Sequence, residues 1–389
     1  MKNGPPDWLG RQYSRRAFLQ GGACALALLG LPLPLRPAGA QELRSGFSVP
    51  HPALYFQPIA KGLIECRLCP RKCEVKDGER GDCLVRENRG GKYVTLAYAN
   101  PCAVHLDPIE KKPFFHVLPG TLSFSIATAG CNLHCKFCQN WEISQTRPEK
   151  TFNYHLPPDQ VVAKAQEGLC PSIAYTYVEP IIFYEYMLDT ARLARKAGLL
   201  NTCHSAGYIN SEPLQPLAEV LDAACIDLKS FDPQFYRDLV GGELAPVLRT
   251  LQTLRQHGVH VEIVNLVIPQ HNDQAKTIGD MCAWIRDELG PLTPMHFSRF
   301  YPLYKMQNHY PTPVSVLEQA REIALKKGLK YVYLGNIPAH KAENTFCHHC
   351  GKMIIQRTGY RIGEVKMKDG KCGYCGTKIP GIWKQPQAA

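Results

Sequence analysis

The chain has 389 residues, 45% of them hydrophobic and 20% charged, an ordinary globular composition that excludes bulk disorder. That length buries one large core plus one or two small modules. The formal net charge is +11, but it sits at the ends: five Lys/Arg against one Asp in residues 1–40, and nine Lys/Arg against three Asp/Glu in 341–389. Without an interleaved basic–aromatic stripe this is poor footing for nucleic acid, and no such partner is expected.

Ser14-Arg15-Arg16-Ala17-Phe18-Leu19, followed by a Gly/Ala/Leu-rich run from Gly21 to Leu35, is a twin-arginine export pattern. Ala38-Gly39-Ala40 supplies small residues for cleavage, so 1–40 is predicted to be a Tat signal and Gln41 the mature start. The apolar run is about 15 residues, short of the roughly 20 a spanning helix needs. A periplasmic location is therefore expected, with membrane contact only in transit. An uncleaved anchor or a cytoplasmic location is the alternative. Export through this route suits a protein that assembles metal centres first, since bare thiols oxidise in a periplasm.

Of the 17 cysteines, most are grouped, and grouped Cys-x2-Cys pairs in a chain this long favour metal over a disulfide framework. Residues 41–118 read as a linker, over 41–60, and then a Cys-rich module. Its ligands are spaced C-x2-C-x3-C-x9-C, Cys66, Cys69, Cys73 and Cys83, with Asp77-Gly78 and Arg80-Gly81 as turns. Four thiolates suit a closed site, either zinc or a second iron–sulfur cluster.

Residues 119–340 alternate short apolar runs with helical patterns. The predicted strands are Leu122–Thr128, Ser172–Tyr177, Leu200–Cys203, Ala224–Leu228, His260–Ile268, Pro294–Phe300 and Tyr331–Leu334. The predicted helices are Pro180–Ala197, Glu212–Leu221, Ala245–His257, Thr277–Glu288 and Ser315–Gly328. This alternation argues for a parallel α/β sheet, and polar residues just after strands argue for a partial, open TIM-like barrel. At the end of the first strand, Cys131, Cys135 and Cys138 read C-x3-C-x2-C with no fourth cysteine nearby. Three thiolates hold three irons of a [4Fe–4S] cluster and leave one iron open, whereas an electron carrier closes its cluster with a fourth.

In residues 341–389, Cys347, Cys350, Cys372 and Cys375 are spaced C-x2-C-x21-C-x2-C, a zinc-ribbon-like pattern in which Met353–Val365 can form strands. His348 and His349 are bystanders, because four cysteines already fill a tetrahedron. Cys24, Cys102, Cys170, Cys203, Cys225 and Cys282 stand singly and read as packing residues.

The loop AGCNLHCKFCQN, with Phe137 before its third cysteine, resembles the signature of the radical S-adenosylmethionine (SAM) superfamily. Further strings extend the likeness from about Cys66 to Trp383: CRLCPRKC, RGDCLVREN, DPIEKKPFFHVLPG, YTYVEP, IDLKSFDPQFY, HFSRFYP and KCGYCGTKIPG. Together they resemble the radical SAM proteins of the AmmeMemoRadiSam system, relatives of the pyruvate formate-lyase-activating enzymes.

That resemblance implies a [4Fe–4S] cluster on Cys131, Cys135 and Cys138 whose open iron takes SAM. Reductive cleavage then yields a 5′-deoxyadenosyl radical that abstracts hydrogen from a substrate, a protein being one alternative. It implies SAM contacts at Phe137 (adenine), Thr176, Tyr177 and Glu179 (amine), Asp227 and Lys229 (a motif whose lysine lies near the carboxylate), Ser205 (ribose) and His296. Thr176 and Tyr177 stand where the activating enzymes have Gly-Gly. A flavodoxin- or ferredoxin-like reductant follows from the same likeness. No hydrogen donor or base is assigned. Activation of a glycyl radical enzyme is the alternative function, and an exported iron–sulfur electron carrier is the alternative of another class.

Overall fold

The computed structural model describes residues 43–337 and 339–385. The predicted Tat signal, 1–40, lies outside the described residues. An eight-stranded sheet organises the chain: β1 (Ala103–Pro108), β2 (Leu122–Ala127), β3 (Ser172–Tyr175), β4 (Leu200–Ser205), β5 (Ala223–Asp227), β6 (His260–Val267), β7 (Met295–Arg299) and β8 (Val332–Gly335). Neighbours in sequence are neighbours in the sheet, from β1 at one edge to β8 at the other. From β2 onward every pair is parallel, while β1 runs antiparallel to β2. Among the described residues no pairing joins β1 to β8, so the barrel is open.

Parallel strands need crossovers, and amphipathic helices supply them. They are α1 (Pro158–Glu167), α2 (Tyr184–Lys196), α3 (Ser211–Val220), α4 (Leu244–Gln256), α5 (Ala275–Trp284) and α6 (Val314–Lys326). In α2 the buried face runs Tyr184, Met187, Leu188, Ala191 and Ala194, one stripe at helical spacing. Arg195 and Lys196 complement its C-terminal dipole, and Gly198 at φ +71° turns the chain back to the sheet. All four residues of β3 are buried, as a strand covered on both faces requires.

Three features differ from the sequence reading. Within the expected linker, 41–60, the described residues are paired rather than free: Arg44–Ser45 pairs with Phe152–Asn153, His51–Pro52 with Val94 and Thr95, and Phe56–Ala60 with Leu63–Cys66. Pairings this short leave no period to read. The large sheet also begins before residue 119, with β1 as an edge strand ending in Pro108, where proline costs no ladder bond. Third, α1 opens on Pro157-Pro158, which reads as loop although Pro158 takes the first helical position.

The N-terminal module is fixed to the barrel by a buried ion pair. Arg86 meets Glu185 of α2 at 2.6 Å, and both bond the Leu54 backbone at 2.7 Å. At the other end, Thr345–Phe346, Met353–Thr358 and Arg361–Val365 form a three-stranded sheet. Buried Arg357 ties it to the segment after β1, donating to the Phe115 carbonyl at 2.7 Å and lying 4.3 Å from that ring.

Candidate active site

Thr128-Ala129-Gly130 carry the chain from β2 into the Cys131–Cys138 loop. Gly130 adopts φ +100°, and a Cβ there would stand 2.5 Å from the Cys83 carbonyl oxygen, so only glycine lets the loop lie against the N-terminal module. Charges hold the loop in place. Arg71 donates to the Asn132 carbonyl at 2.5 Å and pairs with Asp82 at 2.5 Å, and Asp82 lies 2.9 Å from the His134 ring. The His134 and Lys136 amides bond the Val240 and Leu239 carbonyls, each at 2.9 Å.

Cys131, Cys135 and Cys138 line a cavity of about 820 Å³ at the C-terminal ends of the parallel strands. The same cavity is lined by Phe137, by Thr176, Tyr177 and Glu179 after β3, and by Ser205 ending β4. Asp227 ending β5, Lys229 just after it and His296 in β7 complete the expected set. Strand-end side chains from β3 to β8 thus face one space, the arrangement of an α/β-barrel site.

Lys229 meets Asp227 at 2.9 Å, and His204 approaches the other oxygen of that carboxylate at 2.9 Å. Burial opposes the Asp227 charge, but Lys229 and His204 more than offset it and hold the carboxyl below the usual range. For Lys229, burial is likewise outweighed by Asp227 and Cys135, and the ammonium stays charged 5.9 Å from the Phe137 ring.

Three expected contacts are already engaged by the chain itself. Glu179 accepts from Ser205 Oγ at 2.6 Å, from the Ala206 amide at 2.7 Å and from the Ile181 amide at 3.2 Å. Glu179 and Ser205 therefore clamp the turn after β3 to the end of β4, and burial pushes the Glu179 carboxyl up. His296 points Nε2 at Glu262, 2.7 Å away. Glu262 is fully buried and also accepts the Phe115 and His116 amides. Cys203 is a packed, buried thiol.

Sequence reasoning missed one cluster here. Lys112 and the Tyr177 hydroxyl both donate to Asp107, and the Lys112 ammonium lies 4.2 Å from the Tyr177 ring. Burial, partly offset by Asp107, pulls the Lys112 ammonium down to about 8. Asp107 and Lys112 flank a short 3-10 turn, Ile109–Lys111, whose string DPIEKKPFF was visible but without a local period.

The cysteine groups differ in spacing. Cys347 and Cys375 sulfurs are 3.6 Å apart and Cys350 and Cys372 sulfurs 3.8 Å. Tetrahedral zinc with bonds of about 2.3 Å requires about that separation. Among the described residues this is the group of three or more ligand atoms lying mutually within 4.8 Å, so the Cys131, Cys135 and Cys138 sulfurs stand wider than one ion spans. Burial pushes the Cys131 thiol up and the Cys135 thiol up to about 11, so thiolates there need the positive charge of a metal. Three wide-set thiols with open space before them fit a cluster that keeps a vacant position.

Fold and cavity define an open α/β barrel with a three-cysteine loop at the strand ends. Comparison with known proteins gives the family. Residues 125–282 match the model of the Radical SAM superfamily. The chain is 42% identical over 329 residues to the uncharacterized protein MJ0808 of Methanocaldococcus jannaschii, covering 84% of this chain and 98% of that one. It is 23% identical over 209 residues to the pyruvate formate-lyase-activating enzyme of Listeria monocytogenes, covering 50% and 82%. Among solved structures, Streptococcus suis SuiB bound to precursor peptide SuiA aligns with TM-score 0.45 at 12% identity, covering 59% and 52%. The chain belongs to the radical SAM superfamily and is a radical SAM enzyme, a family that implies a [4Fe–4S] cluster and SAM.

Proposed function

We propose that Cys131, Cys135 and Cys138 bind the cluster and that SAM occupies the cavity in front of them, in an enzyme of the AmmeMemoRadiSam type. The observation that carries this reading is the convergence of three wide-set thiols with Phe137, Asp227 and Lys229 on one cavity. When bound, cluster and SAM supply reductive cleavage of the sulfonium and a 5′-deoxyadenosyl radical for hydrogen abstraction. The protein's own residues position and shield. Lys229 presents a fixed positive charge where the SAM carboxylate is expected, and Asp227 keeps it oriented. Glu179 and Ser205 shape the amine and ribose side by holding two strand ends together, with Thr176 and Tyr177 beside them. Glu262 fixes the His296 ring.

A cavity of about 820 Å³ is near the top of the range for small-molecule sites, leaving space for a substrate group beyond SAM. Lys112, Tyr301 and Tyr360 line it, which suits a side chain of a protein or peptide as the group acted on. A second reading, activation of a glycyl radical enzyme, is supported by the likeness to pyruvate formate-lyase-activating enzymes. In either reading a flavodoxin- or ferredoxin-type protein supplies the electron, Cys347, Cys350, Cys372 and Cys375 hold zinc, and Tat export delivers the assembled protein.

The test is anaerobic reconstitution with iron and sulfide, then dithionite and SAM, with 5′-deoxyadenosine measured by chromatography. Product from the wild type and none from Cys135→Ala is expected. A fully loaded wild type that yields no more product than Cys135→Ala would overturn the reading.

A further inference from the structure

Cys66, Cys69, Cys73 and Cys83 take no part in the site above. They line a small cavity of their own of about 20 Å³, together with Tyr93, Asn132 and Arg71. Its size says what belongs there. Sulfurs about 2.3 Å from a central zinc leave no room for a water-sized sphere, whose centre must stay roughly 3 Å from each sulfur. This cavity admits one, and no three of its sulfurs lie mutually within 4.8 Å. In sulfur separation the module departs from the C-terminal cysteines, at 3.6 and 3.8 Å, and so does the group at Cys131. Cysteines around an iron–sulfur cube stand at its corners, well outside single-ion distance.

The surroundings suit sulfur ligands of that kind. The Tyr93 hydroxyl is buried without a nitrogen or oxygen partner and lies against Cys66. Asn132 reaches Cys69, and the Asp82 amide donates to the Cys73 sulfur at 3.4 Å. Such donors tune the potential of an iron–sulfur centre.

We propose that Cys66, Cys69, Cys73 and Cys83 bind a second iron–sulfur cluster, closed by four protein ligands, rather than zinc. Its position gives it a use. Asn132, which lines this cavity, directly follows Cys131, and Gly130, which directly precedes it, packs on the Cys83 backbone. The inference extends the reading above, in which Cys131 carries the catalytic cluster. Four ligands leave no iron open to SAM or substrate, so electron exchange is the chemistry left to this centre. One electron enters from a flavodoxin- or ferredoxin-type donor, which is oxidised by one, and the same electron leaves toward the centre at Cys131.

The full chain with Cys131→Ala, Cys135→Ala and Cys138→Ala, purified anaerobically, tests this by metal and sulfide analysis. About four irons with matching sulfide, and an electron paramagnetic resonance signal after dithionite reduction, are expected. An iron-free protein with about two zincs per chain overturns the proposal. The wild type reports separately on the catalytic cluster: its iron exceeds that of the triple variant only if Cys131, Cys135 and Cys138 bind iron. Should the triple variant precipitate, Cys69→Ser in the otherwise intact chain decides. Wild-type iron roughly halved with zinc unchanged supports a second cluster, and iron unchanged with zinc lost overturns it.

Discussion

Replacing Lys229 with methionine removes the cation that faces both Asp227 and Cys135 while keeping most of the side-chain volume. Breaking a buried ion pair costs about 3–5 kcal/mol, because the surviving charge is left uncompensated. Two features reduce that figure here. The Asp227 side chain is 29% exposed, and it keeps His204 at 2.9 Å. About 2 kcal/mol is therefore expected, or roughly 3 °C in the unfolding midpoint for a chain of this size.

The pH dependence follows from the direction of each shift. Asp227 is held below the usual carboxylate range, so its contribution is present above about pH 4 and lost as pH falls through its folded pKa. Lys229 is raised, so its contribution is present below about pH 10 and lost as pH rises through its folded pKa. The gap between wild type and Lys229→Met should then stay constant from about pH 6 to about pH 9. Anaerobic thermal melts of the loaded proteins across that range measure it. A gap under about 1 °C, or one that closes toward either end of the range, would refute the reasoning.

Three further outcomes are expected. Gly130→Ala forces a Cβ to 2.5 Å from the Cys83 carbonyl, so the loop must shift and iron content per chain should fall by more than half; unchanged iron would show that the contact is dispensable. Glu262→Gln places an amide donor against two backbone donors and His296, and should cost about 3 kcal/mol by chemical denaturation, where a change under about 1 kcal/mol counts against the network. Cys350→Ser should lose one zinc per chain by elemental analysis, while zinc unchanged would reject that site.

The strand and helix alternation after residue 119 was legible because each parallel strand is a short apolar run and each crossover a long amphipathic one. The three cysteine groups were legible because metal ligands repeat at fixed spacing. Other features were not, for reasons of distance and partnership. Glu262 joins His116, 146 residues away, to His296, 34 residues away, and no local pattern records that. The Asp107–Lys112–Tyr177 cluster depends on β1 pairing antiparallel with β2 and on Tyr177 adopting φ +66°. Glu179, Ser205 and His296 were found as polar residues at strand ends. That they bond protein groups first was beyond a reading that had no view of their neighbours.

Glu343, Gly359 and Tyr360, from the last part of the chain, wall the cavity that Cys131 opens. Arg357 and the Ile382 backbone, which exchanges bonds with His116 and Leu118 at 2.8 Å, anchor that wall. The span matched by the family model, 125–282, is consequently not a transplantable unit. Excised, it would leave its cofactors open to bulk water and oxygen along one side. Trimming the C-terminus of this protein is an edit to its reaction chamber.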